Sequence, residues 1–417
     1  MRPHTVSLSP LARADSAKAA LAATAGFAVA NIFILCALVL VCSSCKKEKP
    51  FARPAAEKPV LAEKTPGKNV LKIGAVIPLT GSTATYGQET LQGLQLAIRQ
   101  INEKGPLNIQ LVYEDNQGNP TSTRNAVQKM IEVDKVAVIV GAIASTNTFA
   151  AKPIATQAQV PLLTPASTHV DVTKDSPWVS RICYTDDVQG KVLARFARND
   201  LKASTAAIIV DAKSDYSRGL ADQFFAAFGS LGGRVVSQVS FIAGDKDFSA
   251  QITQIRPRKP EVVFVPAYYT DAALILRQAK EKGLHAIFIG PDGWDSPKLY
   301  EIGGPDVAGN FFSTHFSPDD TRSVVQEFVK AYREAYKGEV PGALAALGYD
   351  AGLALADAAR RAKDLTPASM KDAINSIKGL EGVTGTITLD ANRNAVKEIV
   401  IIETKADRGV LRAKIAP

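Results

Sequence analysis

The sequence predicts an α/β protein made of two doubly wound lobes, in which helices cover parallel-type sheets. Two observations lead to this prediction. Short apolar strand patterns alternate with helical patterns, and the alternation continues for longer than one sheet comfortably accommodates. The composition is that of a globular protein, with 46% hydrophobic and 22% charged residues. It excludes collagen-like, low-complexity and wholly disordered proteins.

The alternation of strands and helices begins at Val70. Strands are predicted at 71–77, 109–113, 136–140, 161–163, 206–210, 235–241, 262–265 and 286–289. Helices are predicted at 86–104, 121–133, 148–159, 188–200, 216–231, 248–255, 271–283 and 323–337. The strand segments are short continuous apolar runs, which are typical of buried parallel strands, and the helical segments repeat apolar residues at helical spacing.

A similar feature occurs in both halves of the chain. Strand 71–77 leads through a polar loop to a helix that begins at Tyr86, and strand 206–210 leads in the same way to a helix that begins at Tyr216. Open α/β sheets bind ligands at the carboxyl ends of their strands. The repeat therefore favours ligand contacts for both tyrosines; the alternative is two coincidental surface tyrosines.

The N-terminal segment predicts export from the cytoplasm. Basic residues precede a stretch without charge, Ala19 to Cys45, which ends in Ser43-Ser44-Cys45. Residues 1–44 are therefore predicted to be an export signal, and residues 45–69 a flexible tether rich in Lys, Glu, Pro and Ala. The end of the stretch resembles a bacterial lipoprotein processing site, which implies that Cys45 is lipidated. A plain secretory signal and an uncleaved single-span anchor are the alternatives.

Charge and cysteine content weigh against several kinds of site. The net charge of +8 is modest for 417 residues, and no Lys/Arg cluster alternates with aromatic residues, so nucleic-acid binding is not predicted. Loss of the signal and acylation of Cys45 would leave Cys183 as the only thiol, without a disulfide partner. His169, His285 and His315 lack metal-ligand spacing, so no metal site is predicted.

The motifs of several common enzyme classes are missing from the sequence. It contains no G-x-G-x-x-G after a strand, no G-x-x-x-x-G-K-[ST] and no G-x-S-x-G. The acidic pairs Asp186-Asp187 and Asp319-Asp320 are typical of helix caps and solvated turns. We therefore expect no enzyme activity and no cofactor. An exported, tethered pair of lobes favours capture of a small molecule between them, and an enzyme that uses the same cleft is the alternative.

Several spaced motifs occur in a defined order: GAVIPLTG at 74–81, YG at 86–87, IN at 101–102, LGYDA at 347–351 and GVTG at 382–385. This series resembles the periplasmic leucine/isoleucine/valine-binding proteins of branched-chain amino acid ABC importers, which have the type I periplasmic-binding fold. The resemblance runs from about Val70 almost to the C-terminus. It implies one lobe at 70–186 plus 315–385 and a second at 187–314 plus 386–417, with hinge crossings near Asp186, Thr314 and Thr384.

The resemblance implies ligand contacts from the first lobe. The hydroxyl of Ser145 and neighbouring N–H groups would bind the carboxylate of an amino acid, the carbonyl of Ala166 would bind its ammonium, and Thr168 would contact both charged groups. The N-terminus of the helix after Ser145 would attract an anion independently of the resemblance. The alternatives are that Ser145 is only an N-cap and that the segment around Ala166 is only a turn.

The resemblance also implies contacts from the second lobe. Tyr216 and Tyr268 would contact the ammonium with their aromatic rings, and Asp292 would pair with its charge. The ligand side chain would lie against Tyr86 and Leu344. Leu344 stands where the amino-acid-binding relatives have an aromatic residue, and a smaller wall would leave room for a side chain as large as that of phenylalanine.

The function implied by the resemblance is that of a monomeric substrate-binding receptor for an aliphatic, branched-chain amino acid. It would lie in the periplasm or on the cell surface, anchored by its lipid, and would deliver the amino acid to a membrane permease coupled to an ATPase. The alternative is a receptor or sensor of the same fold for another small ligand, such as an aromatic amino acid, an amide or an aromatic acid.

Overall fold

The computed structural model describes residues 70–417, which belong to one compact unit. The predicted export signal, Cys45 and the tether lie outside the described residues. Within residues 70–417, none of the helices combines the length and the apolar character needed to cross a membrane.

The first part of the chain builds a five-stranded sheet. Its elements are β1 (Val70–Ile77), α1 (Ala84–Lys104), β2 (Asn108–Asp115), α2 (Pro120–Glu132), β3 (Val138–Gly141), α3 (Ser145–Ala158), β4 (Leu162–Thr164) and β5 (Val179–Arg181). The strand order is β2-β1-β3-β4-β5, and every pairing is parallel. Alternate residues of β1 enter two different apolar clusters, so both faces of the sheet are covered, which explains why the strands are continuous apolar runs.

The chain then builds most of a second lobe. Its elements are α4 (Asp186–Asn199), β6 (Thr205–Asp211), α5 (Asp215–Ser230), β7 (Arg234–Phe241), α6 (Ser249–Ile255), β8 (Val262–Phe264), α7 (Tyr269–Glu281), β9 (Ile287–Gly290), α8 (Pro297–Gly303) and β10 (Phe311–Thr314). It returns to the first lobe for α9 (Ser323–Ala335), α10 (Ala343–Arg361), α11 (Pro367–Asn375), β11 (Leu380–Gly382) and β12 (Gly385–Ile387).

The last two strands, β13 (Ile399–Thr404) and β14 (Gly409–Ile415), complete the second sheet. Its order is β14-β13-β10-β9-β8-β6-β7; β6 to β10 pair in parallel, whereas β13 is antiparallel to both β10 and β14. The predicted α/β class with two doubly wound lobes is therefore confirmed. The antiparallel edge is an addition that the strand patterns did not predict.

Three chain segments pass between the lobes. The first lies between Arg181 and Asp186, and the second follows Thr314. The third lies later than the expected position near Thr384, because β12 still pairs with β11 and Arg393 donates hydrogen bonds to the carbonyls of first-lobe residues. The chain enters the second sheet only at β13.

Two glycines allow helices α1 and α10 to cross at close range. A Cβ atom at Gly93 would lie 1.8 Å from the carbonyl oxygen of Ala345, and one at Gly348 would lie 2.1 Å from that of Thr90. A methyl group at either position would force the helix backbones apart. The close packing brings the N-terminal turns of the two helices, which carry Tyr86 and Leu344, to one small cavity.

Candidate functional site

A small cavity lies where the carboxyl edges of the two sheets face each other. It has a volume of about 30 Å³ and is lined by Tyr86, Ile143, Ala144, Ser145, Ala166, Tyr216, Tyr268, Asp292, Gly293 and Leu344. Most of these residues follow β1, β3 or β4 of the first sheet, or β6, β8 or β9 of the second. The structure thus brings together every predicted contact except Thr168, which is not on the cavity wall.

Ser145 lies at the start of α3, immediately after a strained loop. The N-cap of α3 is Ala144, and Ser145 is the first helical residue; its Oγ accepts a hydrogen bond from the backbone N–H of His169 at 3.2 Å. The interpretation of Ser145 as only an N-cap is therefore wrong. Ile143 has a φ of 73°, a left-handed conformation that is unfavourable for a β-branched residue and that is often found at functional sites.

Buried hydroxyl groups hold this loop against the loop that carries Ala166. Ser167 Oγ donates to the carbonyl of Ile143 at 2.7 Å and lies 2.6 Å from Thr148 Oγ1. The guanidinium of Arg181, which is fully buried, donates to the carbonyls of Ser167 and His169 at 3.0 and 2.8 Å. These bonds fix the first-lobe wall of the cavity.

Thr168 is fully buried just behind that wall. Its carbonyl accepts a hydrogen bond from the backbone N–H of Asp186 at 2.8 Å. Its hydroxyl is buried and interacts with the carboxyl of Asp186, which lowers the pKa of that acid against the larger opposing effect of burial.

Three tyrosine rings form an aromatic wall. Tyr216 and Tyr268, from the second lobe, are stacked with ring centroids 5.2 Å apart and planes 3° apart. Tyr86, from the first lobe, meets Tyr268 edge-on at 5.8 Å. Burial and, next, the charge of Asp292 raise the pKa of the Tyr216 hydroxyl, so Tyr216 stays protonated and serves as a hydrogen-bond donor. The faces of such rings attract cations.

Asp292 is held in one orientation by neighbouring donors. Its Oδ1 accepts from the Tyr216 hydroxyl at 2.6 Å, and its Oδ2 lies 3.0 Å from Nε2 of His315. Its backbone N–H donates to the side-chain oxygen of Gln189 at 2.8 Å. Within residues 70–417, His315 is the only side chain capable of carrying positive charge at ion-pair distance from this carboxylate. Asp292 can therefore accept a further cation.

The sequence analysis missed the acid at the start of α4. Asp187 does behave as a helix-end residue and pairs with Lys191, but Asp186 is buried. Burial and, next, the charge of Asp292 raise the pKa of Asp186 well above its ordinary value. The sequence Asp186-Asp187 does not indicate that one of the two acids is buried, because burial depends on how the lobes pack.

His315 and Gln189 were also absent from the predicted contacts. Gln189 Oε1 accepts from both the backbone of Asp292 and the hydroxyl of Ser313, which anchors the loop of Asp292 to α4 and β10. His315 follows β10 directly and was considered only as a possible metal ligand. The sequence places His315 next to the predicted hinge crossing near Thr314, and this position could have identified it as a candidate site residue.

The two lobes contact each other around the cavity. The hydroxyl of Tyr86 donates to the carbonyl of Gly293, and Thr146 Oγ1 donates to Asp215 Oδ2 at 3.0 Å. A volume of about 30 Å³ holds roughly one water molecule, far less than the 300–1,000 Å³ typical of small-molecule pockets. An amino acid could enter only if the lobes moved apart.

Among the described residues, no group of three or more His, Cys, Asp and Glu side chains is placed to hold a metal ion. Cys183 is a free, buried thiol, and burial raises its pKa to about 12. A thiol with such a pKa stays protonated and is a weak nucleophile.

Residues 70–408 match the family model of the periplasmic binding proteins. The chain belongs to this family. A relative from Brucella abortus (strain 2308), Leu/Ile/Val-binding protein homolog 2, is 31% identical over 326 residues, which are 77% of this chain and 86% of the relative.

Solved structures of other family members have the same fold. The leucine-binding protein LivK of Thermotoga maritima has a TM-score of 0.79 and 36% identity, over 83% of this chain and 99% of LivK. LivJ of Streptococcus pneumoniae, a branched-chain amino acid transporter substrate-binding protein solved in complex with isoleucine, has a TM-score of 0.78 and 30% identity, over 84% and 99% of the two chains. The resemblance to the leucine/isoleucine/valine-binding proteins and the type I periplasmic-binding fold are confirmed.

Proposed function

We propose that this periplasmic binding protein is the receptor of an ABC importer and captures a branched-chain aliphatic amino acid between its lobes. The observation that carries the proposal is that Ser145 and Ala166 face Tyr216, Tyr268 and Asp292 across one cavity. Relatives at 30% identity or more are named for leucine, isoleucine and valine, and one of them was solved with isoleucine bound.

The two sides of the cavity suit the two charges of an amino acid. The α-carboxylate would bind Ser145 Oγ and the first N–H groups of α3, which have no carbonyl partner within the helix. The α-ammonium would bind Asp292 and the carbonyl of Ala166, against the faces of Tyr216 and Tyr268. The side chain would contact Tyr86 and Leu344.

Ligand binding would be coupled to lobe closure. The carboxylate site lies on the first lobe and the acid on the second, so a zwitterion contacts both at once only when the lobes are together. The ligand shifts the population toward the closed form by its differential affinity for that form. The closed form would present both lobe surfaces to a membrane permease and its ATPase. We further propose that the protein acts as a monomer anchored in the periplasm or at the cell surface through lipidated Cys45.

A thermal-shift screen of the protein tests this function. Leucine, isoleucine and valine, each at about 100 times its dissociation constant, should stabilise the protein by about 2.7 kcal/mol. Two compounds with nearly the shape of leucine serve as matched controls: isocaproate lacks the amine and isoamylamine lacks the carboxylate. Neither should stabilise the protein measurably, because each leaves one charged side of the site without a partner.

The screen also decides between the alternatives. A response that is largest for phenylalanine would indicate an aromatic amino acid receptor with a larger pocket beside Leu344. A response only to amides or aromatic acids without an amine would contradict the proposed amino-acid function and the role of Asp292. Recovery of chemically altered compounds after incubation would indicate an enzyme.

A further inference from the structure

We propose that His315 is a positioning residue for Asp292, and that protonation of His315 weakens amino-acid binding at acidic pH. The inference rests on the proposed function, because it assumes that Asp292 binds the α-ammonium of the ligand. It assigns a role to a hinge residue that does not line the ligand cavity.

His315 connects the hinge to the acid. It follows β10 at the second crossing, and its ring is stacked on that of Tyr184, which lies in the first crossing, with centroids 3.8 Å apart and planes 22° apart. Its Nε2 lies 3.0 Å from Asp292 Oδ2, and its side chain is only 2% exposed. The ring therefore has little freedom to turn away from Asp292.

Two donors, one on each oxygen, set the direction of the carboxylate. The hydroxyl of Tyr216 donates to Oδ1, and Nε2 of His315 must be the donor to Oδ2, because an oxygen of an ionised carboxylate can only accept. An ionised carboxylate has about four lone-pair sites, so acceptor capacity remains for an ammonium. Without His315, the carboxylate would lose one of the two side-chain contacts that orient it toward the cavity.

The contacts of His315 fit the neutral ring. Its Nδ1 is buried and has no hydrogen-bond partner among the described residues. A neutral ring with its proton on Nε2 leaves Nδ1 as a bare acceptor, whereas a protonated ring would bury an N–H donor with no acceptor, which costs more. Burial accordingly lowers the pKa of His315, although Asp292 acts in the opposite direction.

The charged surroundings of His315 are mixed. The titratable and charged groups that face it or share the adjoining hinge cavity of about 340 Å³ are Tyr184, Asp292, Asp320, Arg322, Lys397, Glu398 and Lys414. Asp292 is the one acid among them in direct contact with the ring. A proton on His315 would therefore chiefly neutralise the charge that the ligand ammonium needs.

The sign of the pH effect follows from this arrangement. When the lobes part, water reaches the cleft and the pKa of His315 rises, because burial is the main cause that lowers it in the closed form. Closure over a ligand favours the neutral ring and therefore releases a proton. The affinity for the amino acid is highest above the pKa that His315 has in the open form. It falls as the pH drops through that pKa, by up to tenfold per pH unit for one proton.

Isothermal titration of the protein with leucine from about pH 5.5 to about pH 8.5 tests the inference. At the upper end, His315→Ala should weaken binding by about tenfold, and His315→Gln should recover part of that loss because its amide can donate to Asp292. In both variants, the affinity for leucine should change less with pH, because the contribution of His315 to that change is lost. His285→Gln is the matched control, because His285 is exposed on the second lobe and its removal should leave the slope unchanged.

The outcomes separate this inference from the proposed function. Leucine binding with the same pH slope in the unsubstituted protein and in His315→Gln contradicts the role of His315 and leaves the proposed function intact. Failure of the unsubstituted protein to bind any amino acid at any pH contradicts the proposed function and, with it, this inference. His169, Asp186 and the acids of the cleft are present in every variant, so their own titration cancels in the comparison.

Discussion

The surroundings of Asp292 indicate which chemical group of a ligand the site binds. The two carboxylate oxygens of Asp292 are hydrogen-bonded to Tyr216 and His315, and two tyrosine rings are stacked beside it. Such a desolvated carboxylate strongly favours a cation, because burying a charge without a partner is costly. A ligand with a primary ammonium matches this environment, whereas a ligand with only a carboxylate would be repelled by it.

Replacement of Asp292 by asparagine tests this environment. We expect Asp292→Asn to weaken leucine binding at least tenfold, or about 1.4 kcal/mol, because an amide keeps the shape but not the charge. Isothermal titration gives the affinity. Asp222→Asn, on the exposed face of α5, removes the same charge from the second lobe and should not change it. Equal affinities of the Asp292 variant and the unsubstituted protein would remove Asp292 from the ammonium site.

At the scale of elements, helix ends and one helix crossing place the site. The N-terminus of α3 supplies the predicted anion site, and the close contact of α1 with α10 brings Tyr86 next to Leu344. Helix α10 was not among the predicted helices, although Leu344 and Tyr349 were recognised within it by resemblance. Its Ala-rich sequence is buried on several sides, so it lacks the narrow apolar stripe by which helices are recognised.

The crossing of α1 and α10 gives a prediction about stability. Gly348→Ala should lower the free energy of unfolding by about 1–3 kcal/mol, because its methyl group would overlap the carbonyl of Thr90. Gly229→Ala, in the last turn of α5, is the matched control. A Cβ there would have no neighbour within 4 Å, so the substitution should be neutral or stabilise by up to about 1 kcal/mol. Denaturant unfolding measures both, and a similar effect of the two would contradict close helix contact.

At the scale of the whole molecule, lobe closure places acids of both lobes near each other. Glu89 of the first lobe and Asp295 of the second line a cavity of about 500 Å³ beside the ligand site. Burial and, next, the charge of Asp295 raise the pKa of Glu89 from 4.5 to about 8, and one of its oxygens is buried without a hydrogen-bond partner among the described residues. The ionised form of Glu89 therefore opposes the closed structure.

The sign of this effect sets a pH dependence. Because the pKa of Glu89 is raised on folding, the contribution of Glu89 to stability is most favourable below pH 4.5 and is lost as the pH rises toward about 8. Glu89→Gln should raise the free energy of unfolding by about 1 kcal/mol near pH 8.5 and should have little effect near pH 4.5. The expected gain is smaller than the pKa shift alone would give, because the Glu89 side chain is partly exposed and solvent screens its charge. Glu103→Gln, exposed on the same helix, is the control. An equal change at both pH values would exclude titration of Glu89 as the cause.

The sequence by itself determined the α/β class and the two lobes, because buried strands and amphipathic helices have different apolar periods. Motif order also gave the family, and the resemblance to that family gave most of the cavity wall, whereas the position after a strand by itself pointed only to Tyr86 and Tyr216. Periodicity missed β5 and β10 to β14. Strands β5, β10, β11 and β12 have only three or four residues each, and β14 is a half-exposed edge strand.

Only the tertiary structure decided the roles that depend on packing between distant segments. Asp186 and Asp187 are adjacent and chemically identical, yet one is buried beside Asp292 and the other pairs with a surface lysine. His315 meets Asp292 because neighbouring parallel strands, β9 and β10, end at the same edge. Burial and long-range contact are set by how the two lobes meet, and no local pattern in the sequence encodes them.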